Sequence, residues 1–160
     1  MKEGPNPSRK SFHPRVKEGR YGIVVAEWNA EITHTLRDGA VKTLIELGVP
    51  SQNIETYEVS GAFEMPLGLN YLLEKGGFDA LIGIGCLVKG ETPHFHYISE
   101  VVSHRLSEMS INRNIPIGFG LLTVNTYEQA QDRAGGKYGN KGQECAEAVA
   151  NLLNMKYELS

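Results

Sequence analysis

Apolar positions along this chain follow two alternating periods. Tyr21-Gly-Ile-Val-Val-Ala, Asp79-Ala-Leu-Ile-Gly-Ile and Pro116-Ile-Gly-Phe-Gly-Leu-Leu-Thr are short and almost continuously apolar. Such runs predict strands buried on both faces. Asn53-Ile-Glu-Thr-Tyr-Glu-Val predicts one more strand. Between them the spacing changes to that of a helix. Ile32, Leu36, Ala40, Val41, Leu44, Ile45 and Leu47 line one helix that Gly48 ends. Leu67, Leu69, Tyr71, Leu72 and Leu73 mark a second, closed by Gly76-Gly77. Ile98, Val101, Val102, Leu106 and Met109 mark a third, which Pro93 is placed to open because its missing N–H would be unpaired there anyway. Thr126 and Gln129 have capping-box spacing. A last helix runs through Cys145, Ala148, Val149, Leu152 and Leu153. Strand and helix alternate throughout, which predicts an α/β fold with a parallel sheet, helices on both faces and right-handed crossovers.

The regular pattern covers residues 21–160 as one domain. Residues 1–20 break it with Pro5, Pro7, Pro14, Arg9, Lys10, Arg15, Lys17 and Arg20. That segment reads either as a solvated tail or as an arm that orders against a partner subunit. The chain is long enough for a sizeable core. A formal net charge of -3 and a pI of about 6.0 argue against nucleic acid as a partner of the whole chain. No apolar run is long enough to span a bilayer, and no secretory apolar region opens the sequence. Cys86 and Cys145 are the only cysteines, without a C-x-x-C. A reducing cytoplasm is the expected setting.

Ligands of open parallel sheets bind outside the carboxyl ends of the strands. Here those ends carry Trp28-Asn29, Ser60-Gly-Ala-Phe-Glu64, Cys86 to His94, and Phe119 to Thr123. The stretch Gly85 to Tyr97, G-C-L-V-K-G-E-T-P-H-F-H-Y, is the richest in chemistry and reads as a strand-to-helix crossing. It brings Lys89, Glu91, Thr92, His94 and His96 into one short segment. Trp28 is either a core anchor or a flat ring that stacks on a planar heterocycle. Gly61 and Ala62 allow close approach of a ligand to the backbone. Glu64 either complements the helix dipole or binds hydroxyls.

His94 and His96, two apart on a helix, point to different faces and make a poor metal pair. A single imidazole as proton carrier fits better, because this side chain type titrates near neutrality. Arg133, Lys137 and Lys141 recur at steps of four, but the glycines within R-A-G-G-K-Y-G-N-K-G argue against one continuous helix. Cations beside glycine-exposed N–H groups predict an anion site, most simply for phosphate. Neither a P-loop nor a dinucleotide fingerprint is present.

Five motifs in order, V-V-A-E-W-N, S-G-A-F-E-M-P, G-C-L-V-K-G-E-T-P-H-F-H-Y, F-G-L-L-T and R-A-G-G-K-Y-G-N-K-G, resemble the lumazine synthase family over about residues 21–155. The resemblance implies a flavodoxin-like three-layer α/β/α sandwich with sheet order 2-1-3-4. It implies riboflavin biosynthesis: 5-amino-6-(D-ribitylamino)uracil condenses with 3,4-dihydroxy-2-butanone 4-phosphate, releasing phosphate and water, with no cofactor and no metal. By motif, Trp28 corresponds to the aromatic that stacks on the pyrimidine. Ala62, Phe63 and Glu64 would line the ribityl and ring site, and Cys86, Leu87 and Val88 would present backbone groups to the pyrimidine edge. Glu91 and Thr92 would lie at the butanone phosphate, with Arg133 as its counter-charge. His94 corresponds to the proton-transfer histidine. Phe119 and Arg133 are expected to serve a neighbouring subunit's site. Lys137 and Lys141 either support the phosphate field or hold the loop.

The implied partners are small-molecule substrates and further copies of the chain. The copies would form a homopentamer or, since the Gly135 to Gly142 connection carries no insertion, a 60-subunit shell. Riboflavin synthase is a further implied partner. Two residues depart from the family: His96 stands where an acidic residue is usual, and Trp28 where Phe is frequent. That pair motivates an alternative, a non-catalytic flavin- or lumazine-binding shell protein. A flavodoxin-like FMN carrier is the third reading, against which the cationic 133–141 segment speaks.

Overall fold

The computed structural model describes residues 11–160. Its core is a four-stranded parallel sheet in the order β2-β1-β3-β4, formed by β1 (Tyr21–Ala26), β2 (Ile54–Val59), β3 (Ala80–Val88) and β4 (Ile117–Val124). The predicted α/β class, parallel sheet and strand order are all present. β1 is buried at every residue, as a central strand with β-branched residues on both faces should be. β2 is an edge strand and leaves Thr56, Tyr57 and Glu58 outward.

Helices cover both faces. On one face α2 (Ala30–Glu46) and α6 (Lys141–Glu158) bury Leu36, Ala40, Leu44, Val149 and Leu153 against Ile23, Val25, Ile82 and Ile84. On the other, α3 (Met65–Lys75) and α4 (His94–Arg113) bury Met65, Leu69, Val102 and Leu106 against Val24, Leu81 and Leu121. The odd and even residues of each strand thus feed two separate cores. α2 ends as expected, Gly48 taking φ 96. Gly142 lets α6 cross α2 closely: a Cβ there would lie 1.8 Å from the Leu36 carbonyl oxygen.

Three boundaries differ from the sequence reading. Gly85 to Val88 belong to β3, because β4 pairs with them through Val88–Val124; the crossing itself is only Lys89 to Pro93. Pro93 is the residue before the first helical one, so α4 opens at His94. The Thr126 hydroxyl does accept from Gln129 N at 3.3 Å. Gln129, however, reaches back to Asn125 N at 2.8 Å, one residue beyond the box partner.

The basic tripod Arg133, Lys137 and Lys141 is not a helix face. Arg133 ends α5 (Tyr127–Arg133), a hairpin of β5 (Ala134–Gly136) and β6 (Gly139–Asn140) carries Lys137 in its turn, and Lys141 opens α6. The described part of the N-terminal segment forms α1 (Pro14–Glu18), which buries Val16 under the Tyr21 hydroxyl, a donor to Val16 O at 2.6 Å. His13 N donates to Asn154 Oδ1 at 2.6 Å, tying this segment to α6.

Candidate active site

β1 and β2 end level with each other, and their ladder continues into the turns. Glu27 N donates to Val59 O at 2.8 Å and Trp28 N to Ser60 O at 3.1 Å. Trp28 stands at the end of that ladder, and the residue is 72% exposed. The core-anchor reading of Trp28 fails: the ring stands in solvent at the rim. Asn29 then turns the chain in the left-handed region (φ 61, ψ 47), and its Nδ2 donates to Cys86 O at 3.0 Å.

After β2, Gly61 is extended and Ala62–Glu64 forms one 3-10 turn before α3. Glu64 sits at the N-cap of α3, yet its carboxylate makes no capping bond to that helix. Burial pins Ala62, while Phe63 is 62% exposed. β3 supplies the third wall. Its pairing with β1 stops at Val25–Ile84, so Gly85–Val88 runs on past its neighbour. Peptide groups alternate sides along a strand. Since Cys86 turns its carbonyl toward Asn29, Val88 turns its own peptide groups to that same open side. The Cys86 side chain is buried in the α2/α6 core, and burial pushes its thiol up to about 11. It stays protonated at neutral pH and is no nucleophile.

These three strand ends and the first turns of α4 enclose a cavity of about 860 Å³. Trp28, Ala62, Phe63, Glu64, Cys86, Leu87, Val88, Thr92 and His94 all line it. Nine of the residues singled out from sequence thus converge on one hollow, drawn from three crossings. The lining is mostly apolar, with Tyr97, Ile98 and Val101 of α4 closing the side. Sequence reasoning placed Ile98 and Val101 only in a helix and Tyr97 at the end of the Gly85 to Tyr97 stretch, with no site role for any of them. Their spacing from His94, three, four and seven residues on, is the signal that they share its helix face. Asn29 was noted only as a strand-end residue; an asparagine between strand and helix is itself a cue for left-handed backbone.

Glu91, Phe119 and Arg133 do not line this cavity. Glu91 is exposed on the short loop before α4. Phe119 is 42% exposed on β4, the free edge of the sheet. Arg133 is held by its own neighbourhood: Nη1 donates to Gln129 O at 2.9 Å, and the guanidinium lies 4.8 Å over the Tyr138 ring. His96 is exposed, its ring edge-on to Phe95. Among the described residues, no three of His, Cys, Asp and Glu group as metal ligands.

The fold and rim define an open parallel α/β protein with a ligand pocket at the strand ends, floored by strand backbone and flanked by exposed aromatic rings. The model of the 6,7-dimethyl-8-ribityllumazine synthase family matches residues 18–157, and the chain belongs to that family. Among its relatives is a 6,7-dimethyl-8-ribityllumazine synthase of Bacteroides fragilis, 47% identical over 141 residues, 88% of this chain and 99% of the relative. One from Cytophaga hutchinsonii is 47% identical over 140 residues, 88% of each chain. One from Flavobacterium johnsoniae is 40% identical over 151 residues, 94% of this chain and 80% of the relative.

Proposed function

We infer that this protein is a 6,7-dimethyl-8-ribityllumazine synthase, a transferase of riboflavin biosynthesis. It joins 5-amino-6-(D-ribitylamino)uracil to 3,4-dihydroxy-2-butanone 4-phosphate and releases phosphate and water. Family membership over residues 18–157 supports the reaction. The observation that carries the site is the convergence of Trp28, Glu64, the end of β3 and His94 on one cavity.

The chemistry suits the residues. The pyrimidine is flat and edged with amide-like groups; an exposed indole offers it a face, and the free side of β3 at Val88 offers donors and acceptors. The Glu64 carboxylate, not engaged by its helix, is available to ribityl hydroxyls. The substrate amine attacks the ketone carbonyl and water leaves to give an imine; phosphate is eliminated to an enol that tautomerises to a new carbonyl, and the second amine closes the ring on that carbonyl with loss of a second water. Each step moves protons, and His94 at the cavity wall is the group assigned to carry them. The sequence of steps is redox-neutral, and holding both reactants together supplies much of the rate. Thr92 and Glu91 border the butanone phosphate.

Arg133 is assigned as the phosphate's counter-charge in the cavity of an adjacent copy, as is Phe119 in lining it. Their positions away from the chain's own cavity support this. Exposed Ile111, Phe119, Leu152 and Met155 support a homo-oligomer, which we take to be a pentamer, with the 60-subunit shell as its larger form. Riboflavin synthase is the proposed partner that uses the product. Of the proposed arm, residues 1–10 lie outside the described residues, and the part from His13 onward packs against its own chain. Among the described residues no helix is long and apolar enough to cross a membrane. Cys86 and Cys145 are both buried thiols, which supports a cytoplasmic setting.

Purified protein given both substrates is expected to form the lumazine, followed by its absorbance, with saturation in each substrate. Arg133→Ala is expected to raise KM for the phosphorylated ketone far more than KM for the pyrimidine. Absence of turnover by pure, folded protein would leave the non-catalytic flavin- or lumazine-binding alternative in its place.

A further inference from the structure

The exit from β1 contains a bond that folding does not obviously require. Asn29 occupies left-handed backbone, φ 61 and ψ 47, at the N-cap of α2. An N-cap asparagine ordinarily accepts from an N–H of the helix it begins. The Asn29 side chain makes no such bond. Its Nδ2 instead donates across the crossing to Cys86 O, 57 residues away in sequence, at 3.0 Å. This is the point where β1 has ceased to pair with β3. The side-chain amide continues a ladder that the main chain has left.

The consequence falls on the residue before it. Trp28 N is bonded to Ser60 O on the β2 side. Asn29 fixes the next residue on the β3 side. The short turn carrying the indole is therefore clamped from both neighbouring strands. The ring is 72% exposed, so packing does little to direct it, and the backbone that carries it sets its angle. Glycine would take the same left-handed turn without steric cost. What asparagine adds over glycine is the bond to Cys86.

We infer that Asn29 is a positioning residue. Its amide bond to the end of β3 fixes the angle at which the Trp28 ring faces that strand, and with it the affinity for the flat reactant. The inference rests on the proposed function for the identity of that reactant. It concerns binding of the pyrimidine and leaves the phosphorylated ketone largely untouched.

The test uses Asn29→Gly, which keeps the turn and deletes the bond. It also uses Asn29→Asp, which keeps the shape but sets an acceptor against the Cys86 carbonyl. Trp28 is the only tryptophan in the chain, so its fluorescence reports the stacking partner directly. Titration with 5-amino-6-(D-ribitylamino)uracil alone is expected to show a midpoint raised about tenfold in both variants, the scale of one lost hydrogen bond. KM for the pyrimidine should rise in parallel, KM for the ketone phosphate should change less than about twofold, and the melting midpoint should stay near wild type. Unchanged midpoints in both variants would overturn the inference. So would equal rises in both KM values, or loss of folding by the Gly variant, each of which points to a general structural role. If the wild type bound the pyrimidine without turnover and the variants weakened that binding, the inference would stand and the catalytic reading would fall. A wild type with no Trp28 response would overturn both.

Discussion

The amino ends of the strands hold a hollow of about 300 Å³, lined among others by Arg15, Asp79, Arg113, Lys156 and Tyr157. The carboxyl ends hold the cavity of about 860 Å³ with Trp28, Glu64 and His94. Both carry some charged and aromatic groups, and they differ in whether those groups are engaged within the protein. In the smaller hollow every cation has an internal partner. Arg15 lies 4.2 Å over Tyr157, Arg113 pairs with Glu74, and Lys156 donates to Asn114 O at 2.8 Å. All three stand in the last turns of their helices, where a positive charge offsets the helix dipole. Asp79 accepts from Arg20 N at 2.8 Å and from the Tyr157 hydroxyl at 3.4 Å. At the larger cavity, Glu64, His94, Trp28, Phe63 and Tyr97 all line the hollow and are all exposed. Charge alone therefore does not mark a site in this molecule; a polar group left without an internal role does.

That contrast can be broken by paired substitutions. The largest effect is expected at the carboxyl ends. His94→Ala should lower turnover about a hundredfold to ten-thousandfold, the usual contribution of a positioned proton carrier. Its thermal midpoint should scarcely move, since an exposed side chain without bonds contributes little to stability. A wild-type rate in folded His94→Ala would remove His94 from the chemistry.

Asp79→Ala should do the reverse. It deletes the acceptor that holds the start of β3 to Arg20 and Tyr157, at an expected cost of about 1–2 kcal/mol. Denaturant unfolding should show the loss, while turnover per folded molecule remains that of wild type. A fall in turnover without a fall in stability would show that the amino end also serves the reaction.

The smallest effect concerns Glu55, also at the amino side. Hydrogen bonds from Lys75 and Tyr57, with Arg20 adding a third, hold its carboxyl down at about 2. A depressed carboxylate favours the folded state above its unfolded value, about 4.3, and that contribution is lost as pH falls toward 2. The group is only partly buried, so solvent screening keeps the effect small. Glu55→Gln should lower stability slightly near neutrality and flatten the acid side of the profile over that window, so that variant and wild type converge as pH falls toward 2. An identical acid limb in wild type and Glu55→Gln would show that the cluster adds nothing.

Most of the architecture was readable in the chain because burial imposes a period. β1 and β3 had to be continuous apolar runs to be buried on two faces, and α2, α3 and α6 had to repeat at helical spacing to cover them. The rule that ligands lie at the carboxyl ends then collected Trp28, Ala62 to Glu64, Cys86 to Val88, Thr92 and His94, but also Glu91 and Phe119, which lie off the cavity. The end of β3 was less legible. Gly85 to Val88 looks like a polar crossing from its neighbours in sequence, but β4 pairs along its whole length. Glu64 was equally ambiguous: only its geometry separates a carboxylate engaged at the helix end from one that is not.

By itself the sequence determined which residues would be strands and helices, the parallel sheet and the rim of candidate chemistry. Hydrophobic period and helix-end chemistry are local and are written residue by residue. The tertiary structure alone decided that Trp28 stands in solvent, that Asn29 reaches Cys86, and that Arg133 lies off the cavity its own chain forms. Those are relations between segments distant in the chain. They depend on how far each strand outruns its neighbour, a length that pairing sets and composition does not record.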